Sequence, residues 1–338
     1  MEIRLASIEA NPLLHLRVRI TYAIFLIALL ASGSGAIATE PITNEQIRDA
    51  IEASQAFLQK EGRIWFNGEN EYQEQGCVSC HQVPSAAWSL ASSIHALDQP
   101  KNKQFQSLLE DALEHIADPK VGRPAMWSQL LISSGILRDN RQLKEEYLAK
   151  YLPEILKSQE EDGRWAAKGQ FPSQRRPIKE SDAVITMWML RALEDVQSDD
   201  VDTARGKATK FLETVDGKST EWLAWKSVTH QDESARNRLR DAQNDDGGWG
   251  WTKGEPSNAF TTGIVLFSIG QAPQGWDENA KQAGLKFLLD AQQKDGTWPT
   301  PSKLITKSGS DSLDYVYHYW STAWAVIGLS QFHAYGST

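Results

Sequence analysis

QEEDGRW (Gln159–Trp165), QNDDGGW (Gln243–Trp249) and QQKDGTW (Gln292–Trp298) are three copies of one pattern, QxxDGxW. Each follows a run with apolar residues at helical spacing: EEYLAKYLPEILKS, SARNRLRDA and AGLKFLLDA. Asp-Gly after such a run is a helix stop, because glycine enters the left-handed conformation at a C-terminal cap without a Cβ clash. QKEGRIW (Gln59–Trp65), after AIEASQAFL, reads as a degenerate fourth copy.

A second helical stretch follows each loop. AAWSLASSIHAL from Ala86, AMWSQLLISSGIL from Ala125, TMWMLRALEDV from Thr186, TGIVLFSIG from Thr262 and TAWAVIGLSQF from Thr322 align with one another. LAWKSV from Leu223 joins them as a sixth. Pro84, Pro124 and Pro256 stand at or just before helix entries, where a missing N–H does no harm. The expected unit is helix, DGxW loop, helix, repeated about six times at roughly 40–50 residues. One such pair cannot bury its apolar face alone, whereas stacked neighbours can. Open superhelices and closed rings both satisfy that logic.

QxxDGxW followed by a T-A-x-A-L-like helix resembles the repeats of squalene–hopene cyclases and protein prenyltransferase β-subunits. The resemblance covers most of the chain. It implies an all-α fold, an α/α toroid of about six helical hairpins with inner and outer helix rings around an apolar cavity. It does not carry an activity. In the cyclases a D-x-D-D-T-A motif supplies the protonating acid. Aligned on Thr186, this chain reads Asp182-Ala183-Val184-Ile185-Thr186, with Val184 at the protonating position. NAFTT from Asn258 and HYWST from His318 lack the acid as well. The prenyltransferase zinc needs aspartate, cysteine and histidine, and both cysteines fall in the first repeat. Neither an active terpene cyclase nor a zinc prenyltransferase is expected, and whether the chain is an enzyme stays open.

The chain has 338 residues and a formal net charge of −9. That balance argues against a nucleic-acid partner and a basic membrane-surface patch. Residues 1–38 read as a signal peptide. Arg17 and Arg19 end a basic region, Ile20–Ala31 is an apolar run, and Ala36–Ala38 offers an A-x-A cleavage site. An uncleaved anchor is the alternative. The expected arrangement is a leader over 1–38 and a toroid over 39–338, periplasmic or otherwise exported, with no stable membrane span after cleavage.

The only two cysteines lie in GCVSCHQVP (Gly76–Pro84). Cys77, Cys80 and His81 form CxxCH, the attachment pattern for c-type haem. Each thiol adds to one porphyrin vinyl, and the adjacent histidine reaches the iron as proximal ligand. One covalent haem c is therefore expected, with a Cys77–Cys80 disulfide or a zinc site as alternatives. His318 occupies the register of Gln82 and Asp182 at the start of the last inner helix. If the ring closes, packed helices stand roughly 8–10 Å apart, and His81 and His318 are the expected pair of iron ligands. An ordinary rim histidine is the other reading of His318. Met126 is the next ligand candidate, with core packing preferred.

The resulting expectation is a monohaem c-type cytochrome-like protein that transfers electrons to or from a redox partner protein. Two alternatives stand beside it: a redox enzyme with a small apolar ligand in the toroid cavity, and a non-haem binding or scaffold toroid with the disulfide. No catalytic residue is assigned. Trp88, Trp127, Trp188 and Trp324 share one register and read as wedges between the rings, with an aromatic lining as the second reading. Trp165, Trp249 and Trp298 read as structural ties, Asp182 as a helix cap, and Asp199, Asp200 and Asp202 as a solvated turn. Arg175, Arg176 and Lys179 make one basic loop in an acidic chain.

Overall fold

The computed structural model describes residues 41–68, 82–99, 102–118, 120–137, 140–167, 178–300 and 311–333. Chain contacts divide at Pro41–Ile42, and every described helix lies after that point. In order they are α1 (Asn44–Asn67), α2 (Val83–Ala96), α3 (Lys103–His115), α4 (Pro124–Ile136), α5 (Arg141–Lys157), α6 (Ile178–Ala192), α7 (Asp199–Glu213), α8 (Thr220–Thr229), α9 (Glu233–Arg240), α10 (Ala259–Gln271), α11 (Glu278–Ala291) and α12 (Asp311–Leu329). No strand occurs among the described residues. Two isolated bridges, Gln159–Trp165 and Ser219–Thr252, pin loops.

Even-numbered helices pack side by side in chain order, and α12 returns to α2, so six inner helices close a ring. Odd-numbered helices lie outside, each against its own inner partner. The expected α/α toroid is the observed fold. Composition sorts the two rings. Inner helices are apolar or small on every side and are buried along nearly their full length, as in α10 from Ala259 to Ile269. A helix apolar all round has to be enclosed. Outer helices bury one stripe: α7 hides Val201, Ala204, Ala208, Phe211 and Leu212 and leaves the rest to solvent. Small residues allow the closest approach. A Cβ at Gly263 of α10 would meet the main-chain carbonyl of Trp324 on α12.

Each residue of QxxDGxW has a separate task, repeated three times. The aspartate accepts from the N–H two residues on, closing an Asx-turn: Arg164 to Asp162 at 3.2 Å, Gly248 to Asp246 at 3.0 Å, Thr297 to Asp295 at 3.1 Å. Gly163, Gly247 and Gly296 have φ of +93°, +85° and +83°. A Cβ there would also collide with the main-chain carbonyl of Lys207, Ala283 or Ala53 on the next outer helix. The tryptophan Nε1 donates to the carbonyl ten residues back: Trp165 to Ile155 (2.9 Å), Trp249 to Leu239 (2.8 Å), Trp298 to Leu288 (2.7 Å). Its own N–H donates to the hydroxyl of Thr186, Thr262 or Thr322 on the inner helix. The glutamine Nε2 donates to the next outer helix, at Ala204, Ala280 and Ala50. The last of these closes the ring, because Gln292 follows α11 and Ala50 belongs to α1.

Three hairpins depart from this plan: the first, the second and α7–α8, whose connection 214–219 has no QxxDGxW. QKEGRIW forms no loop. Helix α1 runs through it to Asn67, and Gly62 leaves room for Leu108 and Ala86. The second hairpin lacks the motif, and Trp127 of α4 replaces its tie by donating Nε1 to the Ile116 carbonyl at 3.1 Å. Asp199, Asp200 and Asp202 are not a turn: they form the first turn of α7, where negative charge complements the helix dipole.

Candidate functional site

The centre of the ring is filled. Trp88 of α2, Trp188 of α6, Trp225 of α8 and Trp324 of α12 converge on the axis with Phe267 of α10. Their ring centroids lie 5.1 Å apart for Trp88–Trp324, 5.3 Å for Trp225–Phe267 and 5.9 Å for Trp188–Trp225. All four indoles are at most 1 % exposed. Most contacts are tilted or edge-on, the geometry that aromatic quadrupoles favour. The expectation that these tryptophans wedge between rings is corrected. Trp127 alone does so, and the others plug the bore. The open apolar cavity implied by the family resemblance is therefore absent at mid-depth, and the plug divides the two ends of the ring.

One mouth lies at the C-terminal ends of the inner helices. A cavity of about 820 Å³ opens there, floored by Trp88 and Phe267. His95, Gln99, Arg191, Gln271, Gln331 and His333 are among its walls.

The other mouth lies at the inner helices' N-terminal ends, where the positive ends of the helix dipoles gather. In chain order the outer-to-inner connections are 68–82, 116–123, 158–177, 214–219, 241–258 and 292–310. All but 116–123 and 214–219 are far longer than the inner-to-outer connections 97–102, 137–140, 193–198, 230–232 and 272–277. Long connections on a rigid scaffold are where function concentrates. Beyond the plug, Phe260 packs on Trp320 at 4.5 Å, and Trp251 stands edge-on to Tyr317 at 5.6 Å. Glu221 of α8 lies one turn before Trp225, on the same helix face, and is 2 % exposed. Trp222 points the other way, under Arg238 of α9. Ser219 caps this helix by accepting from the Trp222 N–H. The buried carboxylate of Glu180 fixes the entry by accepting from the N–H groups of Lys218 and Ser219 at 3.1 and 3.0 Å.

Asp182 is not a cap. Helix α6 begins at Ile178, and Asp182 sits in its second turn. Its Oδ1 accepts from the Ala167 N–H at 2.7 Å, and Oδ2 pairs with Arg164 at 3.2 Å. Burial pushes its carboxyl up, against the opposing pull of the Ala167 N–H and Arg164. The group fastens the DGRW loop to α6.

Cys77, Cys80 and His81 lie outside the described residues, as do Arg175 and Arg176. Lys179 donates to the Thr214 carbonyl at 2.9 Å. His318 turns toward the outer ring and stacks on Phe57 of α1 at 5.6 Å, with its ring planes 20° apart. Burial pushes the imidazole down, partly offset by Asp295. Met126 packs against the core, as preferred. Among the described residues no group of His, Cys, Asp or Glu has metal-site geometry, and no helix is long and apolar enough to cross a membrane.

No family model and no curated protein matches the chain. Solved structures do. A mutant of unsaturated glucuronyl hydrolase from Streptococcus agalactiae aligns at 10 % identity over 88 % of this chain and 93 % of its own, with a TM-score of 0.56. A possible GH105-family member from Salmonella enterica serovar Paratyphi A aligns at 10 % identity over 89 % of this chain and 98 % of its own, with a TM-score of 0.54. At such identity the likeness is one of fold.

These neighbours correct the resemblance to squalene–hopene cyclases and prenyltransferases, because the toroid matched is that of carbohydrate-active proteins. Neither neighbour is described as binding haem or carrying electrons. The expectations of covalent haem c at Cys77, Cys80 and His81, of iron ligation by His318, and of a cytochrome-like or redox-enzyme function are withdrawn with it.

The sequence reading missed Glu221. It sits in its own repeat where Val184 sits in α6, four residues before the register tryptophan. Aligning all repeats on tryptophan rather than threonine brings it into view.

Proposed function

We propose that this protein is an exported carbohydrate-active enzyme that cleaves a glycosidic linkage at the mouth formed by the inner-helix N-termini. The observation that carries the reading is Glu221, a carboxylate 2 % exposed and placed one turn above the tryptophan plug. The neighbours with this fold, one of them a glucuronyl hydrolase, supply the substrate class. Glycoside hydrolysis needs a carboxyl group beside the scissile bond to pass a proton to the leaving oxygen. Glu221 has that chemistry. In the step assigned to it, the Glu221 carboxyl proton moves to the glycosidic oxygen as the anomeric C–O bond breaks, and water adds its hydroxyl to the anomeric carbon and returns its other proton to the Glu221 carboxylate. The plug below closes the bore, so a saccharide enters and leaves by the same mouth. Trp251, half-buried, stands beside that end of the ring, backed by the buried rings of Phe260 and Trp320. Export rests on the apolar run Ile20–Ala31 and the basic residues before it.

The test is hydrolysis of oligosaccharides, unsaturated glucuronyl disaccharides among them, by the full exported chain and by Glu221→Gln. Loss of about 10²–10⁴-fold in kcat at unchanged helical content is expected for removal of a proton-transferring group. Equal turnover by Glu221→Gln, or no bond cleavage in any substrate by the wild type, overturns the reading.

A further inference from the structure

The cavity at the opposite mouth has no part in that reaction, because the tryptophan plug separates it from Glu221. Its volume, about 820 Å³, is in the range of small-ligand sites. Inner helices α2, α4, α6, α10 and α12 all contribute their C-terminal ends to its wall. Arg191 of α6 donates to Gln271 of α10 at 3.2 Å, and Gln271 donates to Gln331 beyond α12 at 2.8 Å. Across the opening, Gln55 of α1 donates to Gln99 at 2.8 Å and to Ser93 at 3.0 Å. A belt of planar amides is thus held in place from both sides. His95 is exposed at the rim, and Nδ1 of His333 is buried without a hydrogen-bond partner. A buried donor or acceptor left without a partner in a lined cavity points to something that completes it.

The charges define what fits. Arg191 is neutralised by Glu194 in an ion pair. The helix C-termini face this mouth with the negative ends of their dipoles. Among the described residues that line it, Arg191 is the one Lys or Arg, and its charge is taken up by Glu194, so no described cation is left to hold a carboxylate or phosphate. The walls offer both donors and acceptors over an aromatic floor, so the matching ligand is neutral, hydroxyl-rich and apolar on one face. We propose that this cavity is a second saccharide site, taking a short neutral oligosaccharide. Its ligand class rests on the carbohydrate reading above, but its location does not. The site holds a part of the glycan that is not being cut and so raises affinity for longer chains.

Isothermal titration of the full chain with cellotriose, xylotriose and maltotriose tests it, using wild type, His95→Ala, Gln271→Ala and Glu221→Gln. At least one neutral sugar is expected to bind wild type and Glu221→Gln equally, with affinity reduced tenfold or more in His95→Ala and Gln271→Ala. His95 is exposed, so that variant keeps the test valid if Gln271→Ala disturbs the belt. Absence of heat from all three sugars overturns the site. So does binding that survives both belt substitutions, or that disappears in Glu221→Gln, which would put the sugar in the other mouth. Should Glu221→Gln hydrolyse normally while neutral-sugar binding still depends on His95, the catalytic assignment fails and the second site stands.

Discussion

Tryptophan is used in two ways in this toroid. Between the rings, Trp165, Trp249 and Trp298 each bury the indole and donate Nε1 to a carbonyl ten residues earlier. On the axis, Trp225 and Trp324 are equally buried, yet their Nε1 atoms have no hydrogen-bond partner and their neighbours are other aromatic rings. The first group is specified by hydrogen bonds and one sequence motif. The second is specified by convergence alone, as residues far apart in the chain meet where six helices leave a hole. Directional ties fix the spacing of the rings. The plug only has to fill volume, and the bore's chemistry follows from where it stops.

The largest expected effect is on the interlock. Trp249→Ala removes a buried indole and its bond to the Leu239 carbonyl, with a loss of about 3–5 kcal/mol in denaturant unfolding. A smaller loss would show that the loop is not what spaces the rings. A sharper contrast comes from phenylalanine. Trp298→Phe and Trp324→Phe delete similar volume, but only the first orphans a carbonyl, at Leu288. Trp298→Phe is expected to be worse by about 1–3 kcal/mol, and equal losses would erase the distinction between tie and plug. Next in size is Gln292→Leu, which breaks the bond from the last loop to Ala50. About 0.5–1.5 kcal/mol is expected, with hydrogen exchange quickened in α1 and α11 before the rest. Uniform exchange would deny a distinct seam.

The smallest effect is in pH. Burial holds the folded His318 below its ordinary 6.5. The unfolded chain therefore takes up the proton first as pH falls, and stability is lost as pH drops through that value. His318→Phe keeps the stack on Phe57 and should flatten the decline in melting temperature between neutral and mildly acid pH. Glu61 and Asp182, which burial pushes upward, act in the opposite sense, so the comparison has to be made as a difference between the two proteins. An unchanged slope would mean that His318 does not report on the seam.

Much of the fold was legible because DGxW is a local device. Asp, Gly and Trp act within a few residues of one another, and their spacing survives in the sequence. The six hairpins followed from repetition, which fits an open superhelix and a closed ring alike; the ring was implied by the family resemblance. The direction of the inner tryptophans was not legible, since the register is shared by Trp127, which faces outward, and Trp88, which faces the axis. The second hairpin has no loop tryptophan, and Trp127 takes that place by donating to the Ile116 carbonyl. The candidate site was mostly hidden for the same reason. Glu221 carries no motif and gains significance only beside a plug built from five helices. CxxCH was the loudest local signal and led away from the fold's own likeness, because a three-residue pattern carries no information about the scaffold around it.

The bond from Gln292 to Ala50 has one more consequence. With the last hairpin seated on the first, the architecture has no beginning that the packing recognises. A chain rewired to start at α3 and finish at α2, with the old termini bridged, would present the same twelve helices to the same neighbours. Circular permutants opened at the short turns, 97–102 or 193–198, should therefore assemble, whereas an open stack of hairpins would be left with one face bare.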